Sequence, residues 1–246
     1  AGDRILVSVE GLGIYYADTN PEPDPVVFIP GFLGSWSYKG LIKNQPTTYA
    51  DWELMPIFTD NYYQPLLSTL KNAGLTENQN LFTFAYDYRK SVVDSATSLN
   101  SFLGNKVIGK KANIVAHSMG GLVARYCFEK VSGCSDKIGK IITAGTPHKG
   151  LIMAYQLWEV GELDRDPLMK LIEEIALHST NFPYLSNKDI IQNKFPGVKD
   201  LLPTPLISNP LLESLSGTPT ITTLSGNNLA TYENFSTTPR SALDKA

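Results

Sequence analysis

The chain reads as an α/β protein, a mostly parallel sheet with helices on both faces and a helical insertion in its last third. Three observations predict this. Short apolar runs alternate with stripes of helical period. One of those runs, "ANIVAHSMGGLVARY", passes from strand to helix through a tight Gly-flanked turn. Between Leu151 and about Asp200 no stretch reads as a strand for the sheet.

In order, "RILVSVEGLGIYYAD" alternates as one or two edge strands, and the turn-rich "TNPEPDP" closes residues 1–25 as edge strands and linker. "VVFIPGFLGS" is a buried strand running into a Gly-rich loop. Tyr62 to Ala73 carries Leu66, Leu67 and Leu70 at helical spacing and stops at Gly74, a residue suited to the position after a helix. "LFTFAYDYR" is a second strand, with aromatics at alternate positions. Val92, Ala96, Leu99 and Leu103 form the stripe of the next helix. "ANIVAHS", "GGLVARYCFEKV" and "KIGKIITAGTP" then give strand, helix and strand. Residues 151–200 are expected to be a cap or lid insertion, with Leu168, Leu171, Ile172 and Ile175 on one helix face. The β-branched "TPTITTLSGNN", Thr218 to Asn228, is expected to resume the sheet as a fifth core strand. One domain over residues 1–246 accommodates all of this.

Composition excludes several functions. A net charge of -3 carries no basic footprint, so nucleic acid is not an expected partner. The apolar runs are too short for a transmembrane segment. No His, Cys, Asp and Glu cluster has metal-ligand spacing, and no Walker or dinucleotide glycine pattern precedes a helix, so neither metal nor cofactor is expected.

The chemistry gathers at Ser118. A nucleophilic serine needs its Oγ held out of the packing with a backbone N–H beside it. A strand-to-helix elbow supplies both, and its tight turn demands small residues two positions either side. Here the pattern is Ala116-His117-Ser118-Met119-Gly120, with Ala in place of the first Gly. The Leu122, Val123, Tyr126 and Cys127 face of the following helix suits packing on a sheet. "PGFLG", Pro30 to Gly34, ends an earlier strand, where it can lie beside the elbow. An oxyanion hole takes one N–H from the residue after the nucleophile, Met119, and one from this earlier loop, for which Phe32 is the candidate.

Taken together, "VVFIPGFLGS", "YDYRKS", "VAHSMGGLVARY" and "TAGTPHKG", with "LLPTP" and "NPLLESL" after them, resemble the α/β-hydrolase lipases of the lecithin:cholesterol acyltransferase group and its bacterial relatives. The resemblance runs from Val26 to about Phe235. It implies an esterase, lipase or phospholipase acting on acyl esters of lipids, with acyl transfer to an alcohol as an option. It also implies that the cap lines an acyl-chain groove and touches lipid surfaces transiently. Leu33, His117, His148, Met153 and Trp158 are the candidate substrate contacts, with ordinary packing as the alternative for the cap residues.

The base and acid are harder to place among three histidines. His117 lies inside the elbow, directed away from the neighbouring Oγ, and His148 lies in "GTPHKG", where the resemblance makes it a loop residue near the site. Ser118, then Asp164 or Asp166, then His178 obeys the chain order of such triads, yet all but Ser118 fall in the insertion instead of at sheet strand ends. The family's acid turn after the strand at Thr220 to Ser225 has no counterpart, and neither Glu233 nor Asp244 is followed by a histidine. The expectation is that acid and base are encoded beyond Ala246, making the chain carboxyl-terminally incomplete. The competing expectation is a catalytically degenerate module that binds lipid or a protein. Asp87 is expected to pair with Arg89 or to cap the next helix. Cys127 and Cys134 are either a short disulfide loop or two buried thiols, and with the Asn234 sequon they suit a secreted, extracellular protein.

Overall fold

The computed structural model describes residues 4–9, 13–18, 23–162, 177 and 185–203. Its centre is a four-stranded parallel sheet. The strands are β3 (Val26–Ile29), β6 (Leu81–Thr83), β7 (Ala112–His117) and β8 (Ile138–Ala144), in the order β6-β3-β7-β8. β1 (Arg4–Val9) and β2 (Gly13–Asp18) pair antiparallel with each other in a sheet of their own instead of extending the central one. A second small sheet pairs β4 (Ser35–Trp36) with β5 (Glu53–Leu54), just after the Gly-rich loop.

β3 is buried along its whole length and β7 at alternate positions, whereas β8, at the end of the strand order, is exposed over most of its length among the described residues. Val27 and Ile29 of β3 join the main core with Ile114 and Ala116 of β7. On that side lie α3 (Val92–Lys106) and α4 (Met119–Lys130), which contribute Val92, Ala96, Leu99, Leu103, Leu122, Val123 and Cys127. Phe28 of β3 points the other way, into a cluster with Tyr63 and Leu67 at the start of α2 (Gln64–Asn72). α1 is the single turn Pro56–Phe58, and a π-helical turn, Thr59–Tyr63, joins it to α2. Gly74, at φ 93°, follows α2 as the spacing requires.

β6 is shorter than the alternation suggests. Beyond Thr83 only Phe84 N–H still reaches β3, at Phe28 O (2.9 Å), and the chain then leaves the ladder. Phe84, Tyr86 and Tyr88 nonetheless stay buried, because they pack against α3 and the β4–β5 region.

The described part of the insertion is helical: α5 (Ile152–Val160), α6 (Asn187–Lys194) and α7 (Pro196–Asp200). Its roots lie side by side, since Leu151 N–H donates to Leu201 O at 2.8 Å. Leu157, Trp158, Ile190, Ile191, Phe195, Val198 and Leu202 belong to the same core as the sheet. The predicted stripe at Leu168, Leu171, Ile172 and Ile175, and the fifth strand at 218–228, lie outside the described residues.

Cys127 and Cys134 are bridged, with both residues buried and their Cα atoms 5.7 Å apart. The bridge joins the last turn of α4 to the turn that enters β8.

Candidate active site

The elbow is built from a local conflict. β7 ends at His117 and α4 begins at Met119, so the single residue Ser118 must reverse the chain direction. It does so at φ 50°, ψ -125°, a region that non-glycine residues rarely occupy. Holding a serine there costs on the order of 1–3 kcal/mol, supplied by the surrounding packing. Ser118 N–H donates to Ala144 O (2.9 Å) and Gly121 N–H to Ser118 O (3.0 Å), tying the turn to the end of β8 and to its own helix. Gly120 is required by closeness: a Cβ there would lie 2.7 Å from Ile29 O. Ser118 is half-buried, and among the described residues its Oγ has no hydrogen-bond partner.

The Gly-rich loop lies flush against this elbow. Gly31 and Gly34 close a turn through Gly34 N–H to Gly31 O (3.0 Å), with Leu33 at φ 61°. A Cβ on Gly31 would sit 2.8 Å from Ser118 Cβ and 3.1 Å from His117 Nδ1. Phe32 is half-buried, its ring edge-on to Tyr88 at 5.2 Å. Among the described residues neither Phe32 N–H nor Met119 N–H has an acceptor. The Gly-rich loop and the first turn of α4 thus each carry a backbone N–H without an acceptor among the described residues.

Tyr63, which the sequence did not single out, links the two loops. Gly31 N–H donates to its Oη at 3.3 Å, and the same oxygen shares a hydrogen with His117 Nδ1 at 3.2 Å. Burial pushes the Tyr63 phenol above its ordinary pKa, and partial desolvation of the otherwise exposed His117 ring pushes its imidazole below its own.

Asp87 pairs with Arg89 through two hydrogen bonds, from Nε to Oδ1 (2.7 Å) and from Nη2 to Oδ2 (2.9 Å). Arg89 also donates from Nη1 to Gly40 O (3.3 Å) and lies over the Trp52 ring, 5.7 Å from its centroid. The cap of α3 is Ser91, and the buried Asp200 accepts from Val92 N–H at 2.7 Å. Of the two roles foreseen for Asp87, the structure selects the ion pair.

The predicted contact residues divide by exposure. His117, His148 and Met153 are exposed. Leu33 and Trp158 are instead packed in the core, at 1% and 5% exposure. Both belong to the main core cluster. Two described cavities lie elsewhere: one of about 470 Å³ lined by Arg89, Lys90, Lys194 and Asp94 among others, and one of about 30 Å³ around Trp52 and Ser95. Ser118 lines neither. Asp164, Asp166, His178, Glu233 and Asp244 lie outside the described residues.

Among known proteins, the mouse (Mus musculus) GPI inositol-deacylase is 25% identical over 170 residues, 68% of this chain and 16% of that protein. Among solved structures, the mature form of the Bacillus licheniformis lipase BlEst2 is 18% identical with a TM-score of 0.41, over 70% of this chain and 64% of that one. Phospholipase PlaB from Legionella pneumophila is 14% identical with a TM-score of 0.36, over 68% of this chain and 38% of that one. The chain thus spans less than two thirds of each of these proteins. The family model described as lecithin:cholesterol acyltransferase matches residues 48–226, a span that begins after the Gly31–Gly34 turn and includes Ser118, His148 and the insertion. That is well over half of the chain, and the protein belongs to the lecithin:cholesterol acyltransferase family.

Proposed function

We propose that the chain carries the nucleophile and oxyanion hole of a serine hydrolase that cleaves, or transfers, acyl groups of lipid esters. The observation that carries this reading is Ser118 at φ 50°, ψ -125°, with the Phe32 and Met119 N–H groups lacking acceptors among the described residues. A structural turn gains nothing from such strain, whereas a nucleophile gains an exposed Oγ beside preorganised dipoles. Family membership supports the acyl-ester substrate class.

In this reaction Ser118 Oγ attacks the ester carbonyl carbon while its proton passes to a histidine base outside the described residues. The carbonyl oxygen becomes an oxyanion held by Phe32 and Met119 N–H. Collapse expels the alcohol, which takes up that proton, and leaves an acyl-enzyme. Water or a second alcohol then removes the acyl group. His117, His148 and Met153 are offered to the substrate from the exposed side, and Leu33 and Trp158 support that wall from beneath. The insertion rests transiently on a lipid surface. The Cys127–Cys134 bridge supports a secreted location, since disulfides persist in oxidising compartments.

The test is labelling of the full-length protein with a fluorophosphonate, with Ser118→Ala as control. We expect one label per chain, lost in the variant, and a fall in ester turnover of at least about 10⁴-fold. Absence of label from the wild-type protein rejects the nucleophile and leaves a lipid- or protein-binding module on the same scaffold.

A further inference from the structure

The two halves of an oxyanion hole must aim at one oxygen, with both donors about 2.7–3.1 Å from it. Here they come from different elements. Phe32 belongs to the loop after β3, and Met119 to the first turn of α4. The β3–β7 ladder brings the two loops together only as far as Ile29 and Ala116, so beyond it a further non-covalent tie has to set their separation.

We infer that Tyr63 is that tie: a positioning residue whose hydroxyl sets the distance between the Phe32 and Met119 donors. This rests on the oxyanion assignment above. The geometry is specific at both ends. Tyr63 Oη accepts from Gly31 N–H, and Gly31 is covalently next to Phe32. The same oxygen is 3.2 Å from His117 Nδ1, and His117 is covalently next to Ser118. The Phe32 donor is thus one peptide unit, and the Met119 donor two, from a residue bound to a single buried oxygen.

That oxygen is itself well anchored. Tyr63 is 5% exposed, with its ring edge-on to Phe28 at 4.9 Å and to His117 at 5.7 Å. It stands where the π-helical turn Thr59–Tyr63 meets α2. Wide turns of this kind frequently mark functional positions. In this one Tyr62 is 67% exposed while Tyr63 turns inward beneath the loop. The bond to His117 works with either neutral tautomer: with the proton on Nε2 the phenol donates to Nδ1, and with it on Nδ1 the ring donates to Oη. The absence of a Cβ on Gly31 lets the loop close onto the elbow, and Tyr63 keeps it closed.

A residue with this duty affects the rate of acylation more than the fold. Tyr63→Phe keeps the ring packing and deletes only the hydroxyl. In the full-length protein we expect this variant to be labelled by a fluorophosphonate to the same final stoichiometry as wild type, but about 10- to 100-fold more slowly. For a short soluble ester, kcat should fall by a similar factor with KM little changed. His117→Leu should slow labelling comparably, and the double variant should be no slower than the slower single one, because both cut one network. Should Tyr63→Phe lose stability, His117→Leu carries the test through its labelling rate at saturating probe, which a lost substrate contact alone leaves unchanged and which, if equal to wild type, overturns the tie.

The outcomes separate the two ideas. No label on the wild-type protein defeats the nucleophile reading and this inference with it. A wild-type protein that labels normally alongside a Tyr63→Phe variant of equal rate overturns the tie alone. Losses that multiply in the double variant also overturn it, since they would mean two independent contributions.

Discussion

The carboxylate of Asp200 accepts a hydrogen bond, at 2.7 Å, from Val92 N–H in the first turn of α3, 108 positions away in the chain. A buried acceptor thereby satisfies one of the donors left open at the start of a helix. It also fastens the returning root of the insertion to the loop that carries Asp87 and Arg89, where Gly197 N–H donates to Arg89 O at 3.1 Å. Asp200→Ala should therefore lower stability by about 1–3 kcal/mol, and Asp200→Asn, which keeps an acceptor, by less. Chemical denaturation of the two variants gives the comparison; equal losses would show that the bond to Val92 contributes nothing.

Strain at Ser118 predicts a gain in stability where function is removed. Ser118→Gly relieves φ 50°, ψ -125° and should stabilise the protein by about 1 kcal/mol relative to Ser118→Ala. Both variants lack the proposed nucleophile. The measurement is the difference in their melting temperatures, and an Ala variant as stable as the Gly variant would contradict a strained elbow.

Gly31→Ala places a methyl group 2.8 Å from Ser118 Cβ, on the backbone that carries the Phe32 donor. The loop must retreat by a sizeable fraction of an ångström. Displacements of that order near reacting groups can cost about 10²-fold in rate, and that is the loss of kcat expected here. The accompanying loss of stability should stay within about 1–3 kcal/mol.

The Cys127–Cys134 bridge closes a short loop, at a sequence separation of 7. On the chain-entropy account such a loop is worth roughly 2–3 kcal/mol. The Cys127→Ser, Cys134→Ser double variant should melt correspondingly lower. Alkylation without reductant, followed by mass spectrometry, should find both thiols protected in protein exported from its host.

Burial lowers the pKa of His117, and burial together with Arg125 lowers that of His148. Around their ordinary value of 6.5 the unfolded chain therefore binds more protons than the folded one. The stabilisation from these two groups is present above 6.5 and disappears as pH falls through their lowered folded values. Melting temperature should be level near neutrality and decline below that point, with a shallower decline in His117→Gln. Asp51, whose pKa is lowered below 3.8 by its hydrogen bond from Thr48 N–H and by Lys39, acts only at still lower pH.

Much of the frame was legible because its signals are local and periodic. β3, β7 and β8 read as apolar runs, α2, α3 and α4 as stripes, and Ser118 as the one residue between strand and helix. The two-residue strands β4 and β5 carry no period, and the exit of Phe84 to Tyr88 from the ladder leaves their aromatic alternation unchanged. Asp87 and Arg89 were readable since they are two positions apart. Tyr63 and Asp200 were not, because their partners are 54 and 108 residues away and no composition signals such a bond. Leu33 and Trp158, read as candidate substrate contacts with ordinary packing as the alternative for Trp158, are 1% and 5% exposed.

The bond from Leu151 N–H to Leu201 O makes the insertion a closed excursion, leaving and rejoining the body of the protein at one point. Closing such an excursion costs only about 0.6 kcal/mol more for each doubling of its length. The two roots are thereby held together independently of the length of chain between them, and inside that span Leu177, 2% exposed, joins the same core as the sheet. The root bond therefore separates the framing of the elbow at Ser118 from the length of the excursion it closes.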